Sequence, residues 1–175
     1  MLTVGDRFPD FVAKGCFGAH EDSIGEVSLG SLGDDWKVIF FYPKDFSFVC
    51  PTELIEFGRR QRDFEDRDCA IAAGSTDNEF SHLAWCRSRD DLSDLGYPLI
   101  AANRLARELG ILDEAEYVCL RATFIVDPHG VIQYASVHND SVGRNVEEIL
   151  RTLDAIQSDE LCPCNWKKGE QTITV

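Results

Sequence analysis

Apolar residues occur in this chain as short blocks of strand length. WKVIFFY at 36–42 and CAIAA at 69–73 are almost unbroken apolar runs, which are typical of buried strands. Two further blocks flank Pro128-His129-Gly130, a turn sequence that predicts a hairpin. The pattern predicts strands at 36–42, 69–73, 97–101, 117–127 and 131–137.

Segments of helical spacing separate these blocks. Leu54, Phe57 and Phe64 share one face of the first segment, and Gly110 is a stop signal after the third. Helices are therefore predicted at 51–64, 78–89, 103–109 and 144–157. Strands that alternate with helices and end in a hairpin predict an α/β fold, a three-layer sandwich whose central mixed β-sheet is flanked by helices.

The chain is long enough to bury one core, and it is strongly acidic. Its 175 residues carry 31 acidic and 17 basic side chains, a net charge of −14. Such a field repels phosphate backbones and anionic lipid, so neither nucleic acid nor a membrane is expected as a partner. We predict one domain at 1–157 and an aperiodic C-terminal tail at 158–175, with no targeting segment.

Seven cysteines are present, at positions 16, 50, 69, 86, 119, 162 and 164. Their odd number and the absence of a signal peptide argue against a disulfide framework. A reducing compartment, the cytoplasm, is expected. In such a compartment most cysteines are small core residues, and a few react or bind metal.

Cys50 has the sequence context of a reactive thiol. Pro51 suits the first position of a helix, which makes Cys50 the N-cap and places Glu53 third, where a capping carboxylate belongs. A helix N-terminus favours a thiolate, and the alternative is an inert core thiol. Because Glu53 stands where a Cys-x-x-Cys site has its second cysteine, any oxidation product on Cys50 needs a distant thiol.

The stretch FYPKDFSFVCPTELIEF resembles the peroxiredoxin motif Pro-x-x-x-Thr/Ser-x-x-Cys, matched by Pro43, Ser47 and Cys50. Ordered matches to typical two-cysteine peroxiredoxins, in particular to the bacterial alkyl hydroperoxide reductase branch, continue along the chain. They are FSHLAW, RATFIVDPHGVIQ, SVGRNVEEILRTLDA and CPCNW. The resemblance implies a thioredoxin-like fold and a thiol-dependent peroxidase acting on hydrogen peroxide and alkyl hydroperoxides in antioxidant defence.

The resemblance also implies roles around the thiol. Cys50 is the peroxidatic cysteine, which becomes a sulfenic acid. Pro43 shields the pocket, and the Ser47 hydroxyl hydrogen-bonds peroxide and thiolate. Serine replaces the commoner threonine here and lacks the methyl group that stiffens the side chain.

Arg121 is implied to hold both peroxide oxygens, with Glu53 and Arg144 as the pair that orients it. Strand alternation places Arg121 and Thr123 on one face, opposite Ala122. From the residues alone, a site-facing arginine and an edge charge remain equally open.

Cys162 matches the family's resolving cysteine, and Cys164 is an additional redox thiol of a three-cysteine subgroup. The resemblance implies that Cys162 attacks the Cys50 sulfenic acid of a partner subunit in a head-to-tail homodimer, which assembles into a decamer. Alternatively, Cys162 and Cys164 could be two of the four ligands of a zinc site. The chain has no second pair of closely spaced cysteines, or of closely spaced histidines, to supply the other two, so no metal or cofactor is expected. His82 and Trp85 are expected to be packing residues, with Trp85 near the pocket rim. The remaining cysteines are expected to be bystanders, and Cys119 shares the predicted face of Arg121.

The reductant is left open between thioredoxin, an alkylhydroperoxidase D-type adaptor and a flavoprotein disulfide reductase. Two other function classes also remain. In a redox sensor or chaperone-like binder, Cys50 is oxidised without turnover. A glutaredoxin-like transferase acts on glutathione mixed disulfides and does not depend on Arg121.

Overall fold

Strands and helices alternate along residues 1–20 and 22–174, the part of the chain that the computed structural model describes. The α-helices are α1 (Cys50–Arg59), α2 (Gln61–Glu65), α3 (Glu79–Ser88), α4 (Asn103–Leu109) and α5 (Val146–Gln157). The strands are β1 (Val12–Cys16), β2 (Ile24–Ser28), β3 (Trp36–Phe41), β4 (Cys69–Ser75), β5 (Leu99–Ala101), β6 (Leu112–Asp113), β7 (Val118–Cys119), β8 (Arg121–Val126) and β9 (Ile132–His138).

Seven strands form one mixed sheet in the order β2-β1-β5-β4-β3-β8-β9. The central strands β3, β4 and β5 are parallel, and β8 and β9 are added antiparallel on one side. The predicted mixed sheet and its hairpin are confirmed. Because β3 is a central strand, the loop that follows it is anchored at the buried end of a fully paired strand.

The two faces of the sheet are covered by different helices. Phe40 stacks on Phe57 of α1 with ring centroids 4.0 Å apart, and Tyr42 packs against Trp85 of α3. Phe41 points to the other face, into a core that includes Leu105 and other residues of α4. The predicted three-layer sandwich is confirmed, and the helices α1 and α3 share the face on which Cys50 lies.

Three local features differ from the sequence prediction. The predicted helix at 51–64 divides at Arg60, whose backbone leaves the helical region (φ −97°, ψ 9°). The predicted strand at 117–127 breaks at Leu120, so β7 pairs with β6 in a separate ribbon. The β1–β2 hairpin was not predicted, because its strands are short and contain glycines that weaken a strand signal. One of them, Gly15, is required by packing, since a Cβ there would lie 2.5 Å from the Val27 side chain.

The chain divides into two compact units, the first ending at Arg144 and the second beginning at Asn145. In the second unit, the Asn145 side chain accepts the Glu148 N–H at 3.2 Å and caps α5. The segment after α5 is organised by a bridge between Leu161 and Ile173 and by Trp166, whose indole donates to the Glu170 carbonyl at 3.0 Å. The predicted domain boundary at residue 158 stays a prediction. Within the described residues, no helix is long and apolar enough to cross a membrane.

Candidate active site

Cys50 is the first residue of α1, directly after the loop that leaves β3. The predicted N-cap position is wrong by one residue. Val49 is the N-cap, and its carbonyl accepts both the Thr52 N–H at 3.0 Å and the Thr52 hydroxyl at 2.6 Å. Pro51 therefore occupies the second position. Cys50 still lies in the first turn, where backbone N–H groups lack intrahelical partners.

Arg121 lies against the Cys50 thiol. Its Nη1 and Nη2 atoms are 3.7 and 3.8 Å from Cys50 Sγ, and both residues are 2% exposed. Nη2 also donates to the Asp140 carbonyl at 2.7 Å, which fixes the plane of the guanidinium group. The alternative of an edge charge is thereby removed, and Arg121 faces the site, which the strand alternation permitted but did not decide.

Glu53 joins Arg121 to a second buried arginine. Its Oε2 is paired with Nη1 of Arg121 and lies 2.8 Å from Nη1 of Arg144. Its Oε1 accepts the backbone N–H of Arg144 at 2.9 Å. The spacing of Glu53 predicted that its carboxylate caps α1. This prediction is wrong, because arginines engage both oxygens.

The Arg144 side chain makes several buried contacts. Its Nε donates to Thr123 Oγ1 at 2.7 Å, its Nη2 donates to the carbonyls of Ala122 and Phe41, and its guanidinium lies 5.0 Å from the centre of the Phe40 ring. Burial lowers the pKa of Arg144 to about 10, against the opposing charge of Glu53. Burial also acts to lower the pKa of Arg121, but Glu53 and the Cys50 sulfur outweigh it and raise that pKa.

Cys50 and Arg121 line a cavity of about 420 Å³. The Ser47 hydroxyl lines it and donates to the Lys44 carbonyl at 2.7 Å, so its proton is directed at the loop backbone. Lys44 and Glu116 pair across 3.8 Å with both side chains exposed. The lining residues are Pro43, Lys44, Ser47, Phe48, Val49, Cys50, Glu116, Val118, Arg121 and Asp140.

Comparisons with known proteins assign this arrangement to a family. A sequence profile described as the AhpC/TSA family matches residues 4–135. The chain belongs to the AhpC/TSA family.

Relatives and solved structures agree with this assignment. Alkyl hydroperoxide reductase C of Mycolicibacterium smegmatis is 47% identical over 186 residues, covering 99% of this chain and 94% of the relative. The structure of Mycobacterium tuberculosis AhpC is 41% identical with a TM-score of 0.86, covering 95% of this chain and 99% of that one. The reduced 2-Cys peroxiredoxin of Plasmodium vivax is 33% identical with a TM-score of 0.88, covering 98% and 93%. The predicted resemblance to peroxiredoxins is confirmed.

In this AhpC/TSA chain, a buried polar cluster holds the loop before Cys50, and sequence reasoning missed it. Asp45 Oδ1 accepts the Tyr42 hydroxyl at 2.9 Å, and Oδ2 lies 2.8 Å from His82 Nδ1. The Asp45 N–H donates to Asp77 Oδ2 at 2.8 Å. Burial acts to lower the pKa of His82, but Asp45 outweighs it and raises the pKa.

His82 is therefore more than the packing residue that was expected, since it pairs with a buried carboxylate. Trp85 packs against Phe46 with ring centroids 5.9 Å apart, is 1% exposed and does not line the cavity. Asp45, which lies between aromatic residues of the loop, was a signal of the cluster, because a buried carboxylate needs partners.

The two resolving candidates of this family member lie in the second unit. Cys162 is half-buried, with its Sγ 3.4 Å from Ser158 Oγ and 3.7 Å from the Ala155 carbonyl oxygen, whereas Cys164 is exposed. The hydrogen bond with Glu148 raises the pKa of Arg151, and Cys162 and Cys164 act in the same direction. All seven cysteines are thiols in this structure.

The expectation that Cys119 shares the face of Arg121 is wrong. Cys119 is fully buried in the core that contains Phe124, on the opposite face. The break at Leu120 shifts the alternation, so residues on either side of it no longer share a face. Burial raises the pKa of Cys119, and that of Cys69, to about 12. Among residues 1–20 and 22–174, no three His, Cys, Asp or Glu side chains form a metal-binding group.

Proposed function

We propose that this protein is a thiol-dependent peroxidase that reduces hydrogen peroxide and alkyl hydroperoxides at Cys50. The observation that carries the proposal is the guanidinium of Arg121 against the Cys50 sulfur in the lining of a cavity. A thiolate there attacks the terminal peroxide oxygen, the O–O bond breaks, and the products are Cys50 sulfenic acid and water or an alcohol. Negative charge moves onto the leaving oxygen in this step.

Arg121 is the catalytic residue that meets this charge. Its donors are held by Glu53 and by the Asp140 carbonyl, so little reorganisation is needed as charge develops. Arg144 is a positioning residue, since it acts on Arg121 through Glu53. Pro43 and Ser47 line the cavity, where Pro43 excludes water and Ser47 orients the substrate. A cavity of about 420 Å³ has room for an alkyl group beyond the peroxide.

Resolution is assigned to Cys162 of the partner subunit, with Cys164 as a further redox thiol. Cys162 attacks the sulfenic sulfur of Cys50, releases water and forms an intersubunit disulfide. Because Cys50 is 2% exposed, the first turn of α1 has to open for this step.

A head-to-tail homodimer is supported by the edge of the sheet. Ile132 at the start of β9 exchanges backbone hydrogen bonds with Gly5 and Asp6, but within the described residues the rest of β9 pairs in the sheet with β8 alone. This leaves a strand edge available to a second copy. Assembly of such dimers into a decamer is supported by three aromatic side chains near the active-site loop. They are 58%, 92% and 67% exposed and belong to Phe46, Phe48 and Phe80.

The disulfide returns to thiols with thioredoxin or an alkylhydroperoxidase D-type adaptor as reductant. A reducing compartment, the cytoplasm, suits a chain with an odd number of cysteines, seven. Assays that couple the protein to each purified reductant distinguish the two donors. Each assay measures the rate at which peroxide causes oxidation of that reductant.

Peroxide consumption by the wild-type protein and by Cys50→Ser tests the chemistry. We expect the variant to lose turnover, and wild-type rates in Cys50→Ser would overturn the proposal. Oxidised wild-type protein should run at twice the subunit mass on a non-reducing gel, and Cys162→Ser should not. One oxidation without regeneration by any thiol would instead favour a sensor, and activity on glutathione mixed disulfides would favour a transferase.

A further inference from the structure

Three exposed residues, whose side chains the peroxidase reaction does not use, line the cavity beside Cys50, and we call them the cavity rim. Lys44 belongs to the loop after β3, Glu116 to the turn between β6 and β7, and Asp140 to the segment after β9. Lys44 Nζ lies 3.8 Å from Glu116 Oε2, and the two side chains are 58% and 68% exposed. Two carboxylates and one ammonium group give the cavity rim a net charge of −1.

The buried charges around Cys50 cancel, so they do not decide which substrates are repelled. Glu53 pairs with Arg121 and Arg144, and all three side chains are only 1–2% exposed. In the proposed reaction Cys50 acts as a thiolate, and this second negative charge balances the second guanidinium group. The charge that an approaching substrate meets is therefore set by the cavity rim. The net charge of −14 on the whole chain acts in the same direction, but over distances that salt screens.

We propose that Glu116 is a specificity-determining residue, which makes the cavity select neutral hydroperoxides over hydroperoxides that carry a carboxylate. This inference rests on the proposed peroxidase function and names the substrate class of that site. Hydrogen peroxide and simple alkyl hydroperoxides are neutral, and the alkyl groups of the latter meet apolar side chains of the lining such as Val49 and Val118. Glu116 also engages Lys44, the rim cation that would otherwise attract a substrate carboxylate.

The size of this selection follows from the distance between exposed charges. In water, a charge about 5–10 Å from a substrate carboxylate changes the rate constant by about two- to fourfold at low ionic strength. Glu116→Gln removes one negative charge and releases Lys44, so the rate for a carboxylate-bearing hydroperoxide should rise by about this factor. Glu116→Lys shifts the charge by two and should raise that rate by about the square of this factor, about 4- to 16-fold. Lys44→Gln changes the charge in the opposite sense and should lower the rate by about two- to fourfold.

The test is a competition between cumene hydroperoxide, which is neutral, and its para-carboxylate derivative, which is anionic near neutral pH. Both are mixed at equal concentration with the full-length protein and dithiothreitol at about 10 mM ionic strength, and chromatography follows the loss of each one. The ratio of their consumption rates equals the ratio of their kcat/KM values, so the concentrations of enzyme and reductant cancel. Every variant receives the same two peroxides, so their intrinsic reactivities cancel between variants. We expect the ratio of neutral to anionic consumption to fall from wild type to Glu116→Gln and further to Glu116→Lys, and to rise in Lys44→Gln.

Glu114→Gln is the matched control. Glu114 lies in the same turn as Glu116 and pairs with exposed Arg107 at 3.8 Å, but it lies outside the described lining of the cavity. The control changes the net charge of the chain by as much as Glu116→Gln does, so its consumption ratio should equal that of the wild type. At about 1 M salt, where the screening length is about 3 Å, the differences between all variants should vanish.

The proposed selection is overturned if the two Glu116 variants have the consumption ratio of Glu114→Gln, or if their ratios are the same at high salt as at low salt. In both cases, consumption of cumene hydroperoxide would still support the peroxidase function. Failure of the wild-type protein to consume cumene hydroperoxide would instead overturn the peroxidase function and the selection together.

Discussion

Replacing Glu53 by glutamine tests the arrangement that holds the active-site arginine. Glu53 pairs with Arg121 and Arg144 through Oε2 and accepts the Arg144 backbone N–H through Oε1. The three side chains are only 1–2% exposed, so solvent does not screen them. The carboxylate therefore neutralises part of a buried positive charge and sets the position of both guanidinium groups.

Glutamine keeps the shape of the side chain but removes its charge. Its NH2 group must face either the guanidinium donors or the Arg144 N–H, and each orientation places donor against donor. Breaking a buried ion pair by removing one partner destabilises a protein by about 3–5 kcal/mol, and we expect this range for Glu53→Gln. Loss of the fixed Arg121 geometry should lower kcat/KM for peroxide by about 10²-fold.

Urea denaturation of the reduced protein gives the free energy of unfolding, and initial rates of peroxide consumption give kcat/KM. Glu56→Gln is the matched control, because Glu56 lies on the same helix and pairs with exposed Arg59 at 3.9 Å. Its effect on stability should stay below about 1 kcal/mol. The reasoning is refuted if Glu53→Gln is as stable and as active as Glu56→Gln.

Four further variants probe the site and the loop before it. Arg121→Lys keeps the charge but loses the two-pronged contact with Cys50, so kcat/KM should fall by about 10²-fold with an unchanged circular dichroism spectrum; full activity would contradict this role. Ser47→Ala should lower kcat/KM by roughly 2- to 10-fold, the range of one hydrogen bond. Ser47→Thr should equal or exceed the wild type, and a lower rate would contradict the positioning role. The pKa of His82 is raised by Asp45 in the folded protein, so the stability that this pair contributes is complete below about pH 6.5 and is lost as pH rises through the folded pKa. The difference in unfolding free energy between wild type and His82→Gln should therefore shrink on raising the pH, and a growing difference would contradict the sign.

Local sequence signals determined the elements that surround Cys50. The apolar run of β3 and the glycine stop of α4 at Gly110 depend on neighbouring residues alone, and both were predicted correctly. Pro51 placed the start of α1 within one residue, because its ring suits the first turn but does not specify which position it takes. The ordered motifs therefore sufficed to recognise the family and to identify Cys50.

Contacts between distant segments were decided by the tertiary structure. The spacing of Glu53 in α1 suggested a helix cap, but β8 brings Arg121 to it across 68 positions. The link from Asp45 to His82 likewise depends on how α3 packs, since nothing in the residues adjacent to Asp45 predicts this partner. Secondary structure and sequence motifs depend on neighbouring residues along the chain. The partners of buried polar atoms are decided by packing, because burying a polar group without a hydrogen-bond partner costs free energy.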